Sequence, residues 1–145
     1  MTPEWTYEIA LSKHSVTPMT YKLKATRDVC KALSKRFAIL GVNSFEFLLT
    51  VTPSPLYRGF LVEGTIKASV VQECITTLKP VTETVETSID LVLRPKAFEK
   101  QDEQFENFEE EKDVDYFENG KYDLAELASQ YLALNLNPYP KALEA

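Results

Sequence analysis

The chain has 145 residues, 44% of them hydrophobic, and its 22 acids against 16 Lys and Arg give a net charge of −6. That length and apolar content fit one folded domain with one core. Two cysteines, Cys30 and Cys74, exclude a disulfide scaffold, and no apolar run approaches a membrane-spanning length.

In chain order, Met1-Thr-Pro-Glu-Trp5 lacks the positive region and apolar run of an export signal, so cytoplasmic residence and reduced thiols are expected. Tyr7 to Leu11 is a short strand candidate. After the polar turn at Ser12–Ser15, Met19, Tyr21, Leu23 and Ala25 alternate with Thr20, Lys22 and Lys24. This predicts a strand with its lysines facing water. Thr26 can cap a helix that has Asp28 in its first turn. Val29, Leu33, Phe37 and Leu40 supply its apolar stripe, with Cys30 beside it, and Gly41 is the expected stop. Arg27, Lys31 and Lys35 recur every four residues on the outer side, with Arg36 nearby. They form either a solvated face or, together with Lys22 and Lys24, a phosphate-facing stripe. Phe45, Phe47, Leu49 and Val51 alternate again before Pro53 and Pro55.

The centre of the sequence is Phe60 to Leu93. Phe60, Val62, Gly64, Ile66, Ala68 and Val70 share one parity, and Val81, Val85, Ile89, Leu91 and Leu93 share another run of the same kind. Alternation this long predicts two half-buried strands. Joined by Glu73–Pro80, they make an antiparallel hairpin with arms of roughly 40 Å. Such a hairpin is marginal alone, so helices must cover its apolar side. The expected fold is α+β: a mostly antiparallel sheet of about five strands, open or closed into a barrel, built on the central hairpin and covered by two helices.

From Lys96 to Asn119 no period is clear. Ten acids and two lysines fall between Glu99 and Glu118, leaving twelve acids and fourteen bases elsewhere. Residues 97–119 are therefore expected to be an acidic flexible insertion in a single domain formed by 1–96 and 120–145, whose body is slightly basic. Asn119-Gly120 marks a turn, and Asp123 with Glu126 has the spacing of a capping box. Leu124, Leu127, Ala128, Tyr131 and Leu132 then outline a docking helix that ends at Asn137-Pro138.

Catalytic chemistry is sparse. His14 is the one histidine, and four glycines leave no room for a phosphate loop or dinucleotide fingerprint. A Ser or Cys nucleophile would have only His14 as base. Cys74 has Thr77, not a second cysteine, three positions on, and one thiolate cannot hold a structural zinc. The residues predict no enzyme, no metal and no cofactor.

Gly64-Thr-Ile-Lys-Ala-Ser-Val-Val-Gln72-Glu-Cys74-Ile-Thr-Thr-Leu78-Lys-Pro80-Val81 resembles the signature segment of the YceD family, the large ribosomal RNA subunit accumulation proteins. Gly120-Lys-Tyr-Asp123-Leu124 through Leu136-Asn-Pro138-Tyr139-Pro140 resembles the C-terminal segment of the branch typical of alphaproteobacteria, without the additional cysteines of many members. The resemblance implies a bacterial cytoplasmic factor for processing, protecting or assembling large-subunit ribosomal RNA. It assigns no catalytic residues. Two functions are thus expected: an RNA-associated assembly factor using Lys22, Lys24, Arg27, Lys31 and Lys35, or an adaptor whose acidic segment engages a basic ribosomal protein.

Overall fold

The computed structural model describes residues 4–11, 17–100 and 113–140. His14 and residues 101–112 of the acidic segment lie outside the described residues. Strands β1 (Glu8–Ala10) and β2 (Met19–Lys24) precede helix α1 (Arg27–Arg36). Three long strands follow: β3 (Gly41–Ser54), β4 (Gly59–Glu73) and β5 (Pro80–Pro95). After a 3-10 turn at Lys96–Phe98 come β6 (Asp113–Phe117), β7 (Lys121–Asp123) and helix α2 (Leu124–Leu134). In the five-stranded sheet the order is β2-β3-β4-β5-β6, and β1 pairs with β7 in a separate two-stranded sheet.

The β4–β5 hairpin has the expected parity. Phe60 faces Leu93, Ile66 faces Thr87 and Gln72 faces Val81 across it. Val62, Ile66, Ala68 and Val70 of β4 and Ile89, Leu91 and Leu93 of β5 are buried with Phe45, Phe47, Leu49 and Val51 of β3. Cys30 and Leu33 of α1 and six residues of α2 from Leu124 to Leu132 fall in the same core or on its inner surface. Both helices therefore cover one face of the sheet, as a one-sided apolar sheet requires. Trp5 fills the space beside β3, its ring 5.2 Å from Phe45 and 5.3 Å from Phe47.

Several expectations are corrected. The sheet stays open, because its edge strands β2 and β6 are not paired with each other. Five strands is the right number for a different reason: the first strand leaves for the small sheet, and β6 takes a place in the large one. β6 arises inside the stretch read as a loop and pairs parallel to β5, with Leu91 opposite Asp113 and Pro95 opposite Phe117. Helix α1 ends at Arg36, short of Gly41. Ala38 takes φ 55°, its N–H bonds the Lys35 carbonyl at 3.2 Å, and the Ile39 N–H bonds that of Ser34 at 3.0 Å. This is a Schellman ending with alanine in the usual glycine place. Gly41 instead begins β3, and Leu40 is 53% exposed outside the helix stripe.

Candidate functional site

The expected basic stripe divides between two faces of the sheet. Arg27, Lys31 and Lys35 are exposed on α1, which packs its Cys30 and Leu33 against the core face. Tyr21 and Leu23 of β2 turn toward that same core, so Lys22 and Lys24 project from the opposite face. There Lys22 and Lys67 share a shallow hollow with Glu46 and Glu86, a neighbourhood of mixed charge. The two strand lysines therefore do not extend the helix stripe. Arg36 leaves it as well: its Nη1 and Nη2 donate to both carboxylate oxygens of Glu126 at 2.7 and 2.9 Å, and its Nε lies 3.6 Å from Glu4. Arg36 is a clamp between α1, α2 and the N-terminal segment.

A second cluster forms where the hairpin turns. The Cys74 N–H donates to the Lys79 carbonyl at 2.8 Å, and the Leu78 N–H donates to the Cys74 carbonyl at 2.9 Å. The Thr77 N–H lies 3.4 Å from Cys74 Sγ, so the buried sulfur is an acceptor inside the turn. Neither cysteine forms a disulfide, and burial pushes the Cys30 thiol pKa up. Among the described residues no three His, Cys, Asp or Glu side chains are placed to hold a metal.

The chain after α2 returns to this turn. Tyr122 OH donates to Asp115 at 2.6 Å, Tyr131 OH donates to Asp113, and Asn137 Nδ2 donates to Glu83 Oε2 at 3.2 Å. These bonds step along the hairpin from the β6 end to the tip. At the tip Gln72 Nε2 donates to the Asn137 carbonyl at 3.0 Å, and the Ile75 N–H donates to the Pro140 carbonyl at 2.9 Å. The Tyr139 N–H turns back to Asn137 Oδ1 at 2.9 Å. Gln72, Cys74, Leu78, Pro80, Pro138, Tyr139 and Pro140 thus gather at one end of the sheet, although more than fifty residues separate the two segments. Leu78 and Tyr139 are 66% and 70% exposed, and Pro140 is buried.

The remaining motif positions are structural. Gly64 lies mid-strand, where an added Cβ would stand 1.9 Å from the Leu48 carbonyl oxygen. Asp123 caps α2: its Oδ1 accepts from the Glu126 N–H at 3.0 Å and from the Tyr7 N–H at 2.8 Å. Leu124 is fully buried behind it. The reciprocal half of a capping box is missing, because the Glu126 side chain is taken by Arg36 and Gln130.

Residues 62–145 match the family model described as "Large ribosomal RNA subunit accumulation protein YceD". The chain belongs to the YceD family. No curated protein and no solved structure matches it. The YceD match begins in β4 and covers the hairpin tip, β6, β7 and α2, whereas α1 and its cations precede it. The family's name ties it to accumulation of large-subunit ribosomal RNA. No described helix of this YceD chain is long and apolar enough to cross a membrane.

Two participants at the tip went unread in the sequence. Glu83 sits on the core parity between Val81 and Val85, and Asn137 stood there only as a helix terminator. A charged residue between the apolar Val81 and Val85 of the core parity is the signal that could have found Glu83.

Proposed function

We propose that the chain is a non-enzymatic factor for large-subunit ribosomal RNA accumulation, acting in the cytoplasm in processing, protection or assembly of that RNA. The observation that carries this reading is the family match over the hairpin tip and its crossing tail. The chemistry supports a non-catalytic role: the closely placed carboxylates of Asp113, Asp115, Asp123 and Glu126 are each engaged by Tyr131, Tyr122, backbone amides or Arg36. The surface offered to phosphates is Arg27, Lys31 and Lys35 on α1. Three phosphate contacts give a log–log salt slope of roughly −2 to −3. Titration of large-subunit RNA fragments across low to physiological salt should return that slope and lose most of it when the three become Glu. A flat profile removes α1 from the reading. Co-sedimentation with ribosomal precursors, abolished by ribonuclease, tests association itself.

A second reading, an adaptor for a basic ribosomal protein, is favoured by one feature. A groove of about 510 Å³ at the β6 end is lined by Glu8, Glu99, Asp115, Glu118, Asp123 and Glu126, against Lys96 and Lys121. Electrostatic steering of a cationic partner into it would be fast and salt-sensitive.

A further inference from the structure

We propose that the hairpin tip is a docking site for an arginine side chain presented between apolar residues of a protein partner. It goes beyond both readings above: the tip lies at the other end of the hairpin from the acidic groove, and neither α1 nor residues 101–112 enters the argument.

Among the described residues, two acceptors at the tip lack donors. Gln72 is 8% exposed, and its Oε1 has no hydrogen-bond partner, although its Nε2 bonds the Asn137 carbonyl at 3.0 Å. Exchanging the two amide atoms would set oxygen against oxygen, so Asn137 fixes this orientation. Glu83, held by the side chain of the same Asn137, has a second buried oxygen, Oε1, in the same condition. Interior acceptors of this kind are costly to leave unmet, and a carboxylate more than an amide.

Gln72 also lines a cavity of about 240 Å³ with Glu73, Pro140 and the Ala38-Ile39-Leu40 segment that follows α1. Around it and the adjoining turn stand Leu40, Ile75, Leu78 and Tyr139, from 50% to 70% exposed. The complementary ligand is a donor-only cation with apolar flanks. A guanidinium presents five N–H groups in a planar fork and sheds water more readily than an ammonium, which suits two acceptors held on one asparagine. Glu73 in the lining, with Glu83 bonded to Asn137 nearby, gives the charge complementarity. Glu73 is the charged residue in the cavity lining, and the turn's base, Lys79, stands outside that lining, so the sign there is negative. A phosphate backbone would meet that carboxylate with repulsion, and the observations favour protein over RNA here.

The probe is the capped tripeptide acetyl-Leu-Arg-Leu-amide, titrated into the isotope-labelled full chain and followed by NMR at the Gln72 side-chain amide and the Ile75 and Leu78 N–H groups. Saturable shifts are expected, and binding should be about tenfold weaker for the citrulline peptide, which keeps the shape and loses the charge. Glu83→Gln and Gln72→Leu should each weaken the arginine peptide by about tenfold, with the thermal midpoint of each variant showing that it is folded. Equal affinity for arginine and citrulline, shifts that never saturate, or a response confined to Asp115 and Glu118 at the other end would overturn the proposal. So would large-subunit RNA fragments moving the tip signals while the peptide does not.

Discussion

Ala38 and Gly64 show how single residues bear on this fold, and in opposite directions. An alanine at φ 55° bears the steric cost of the left-handed region where glycine would not. Ala38→Gly is therefore expected to stabilise the protein by about 0.5–1 kcal/mol, read as a higher urea midpoint. Gly64 is the reverse case. Its φ of 156° and the Leu48 carbonyl 1.9 Å from any added Cβ leave a side chain no space in the centre of the sheet. Gly64→Ala should cost about 3 kcal/mol or more in the same measurement. The first position was hidden in the sequence because glycine is the usual helix stop and Gly41 stood nearby. The second stood out as a motif residue, but its reason, the approach of the β3 backbone, appears only in three dimensions.

Among the elements, those with strong apolar alternation could be read and those with acidic composition could not. The β4–β5 hairpin came through with its parity because Val62 to Val70 alternate and Ile89, Leu91 and Leu93 continue the pattern, although Val92 is buried on the other side. β6 was missed because Asp113 and Asp115 made Asp-Val-Asp-Tyr-Phe look like more of the acidic run, and because its parallel partner lies a crossover away. Arg36 was read as one more surface cation, since nothing in α1 alone reveals Glu126 on another helix. That pair has a pH signature. The hydrogen bonds from Arg36 hold the Glu126 carboxyl below its ordinary pKa, against the opposing effect of partial burial. The folded form is thus the weaker proton binder. The pair's contribution, about 1 kcal/mol, is full above the usual carboxylate pKa of about 4.3 and fades as the pH falls below it. Glu126→Gln should lower stability at pH 7 by that amount, and the deficit should shrink steadily as the pH falls below the usual carboxylate range, as followed by urea unfolding at each pH.

For the whole molecule, the distribution of charge matters more than its sum. Cations on α1 sit over β3, near one edge of the sheet, whereas β6, which belongs to the acidic segment, forms the other edge. Between β5 and β6 the sequence of residues 101–112 carries Asp102, Glu103, Glu106, Glu109, Glu110 and Glu111. Changing these six to Asn and Gln alters no residue of β6. It should strengthen binding to large-subunit RNA fragments severalfold at low salt, with the gain vanishing as ionic strength rises. Weaker binding to a basic ribosomal protein in the same variant would favour the adaptor.

The small sheet formed by β1 and β7 joins Glu8 to Asp123 through only three residues on each side. Closing a loop that long costs roughly 4 kcal/mol in chain entropy, more than so short a ladder returns by itself. This seam can therefore zip only onto a body already assembled, and amide protons of Ile9 and Ala10 should exchange with deuterium far sooner than those of Ile66 or Leu91. Opening is thus expected first at the seam between β1 and the start of α2, while the long hairpin stays shut.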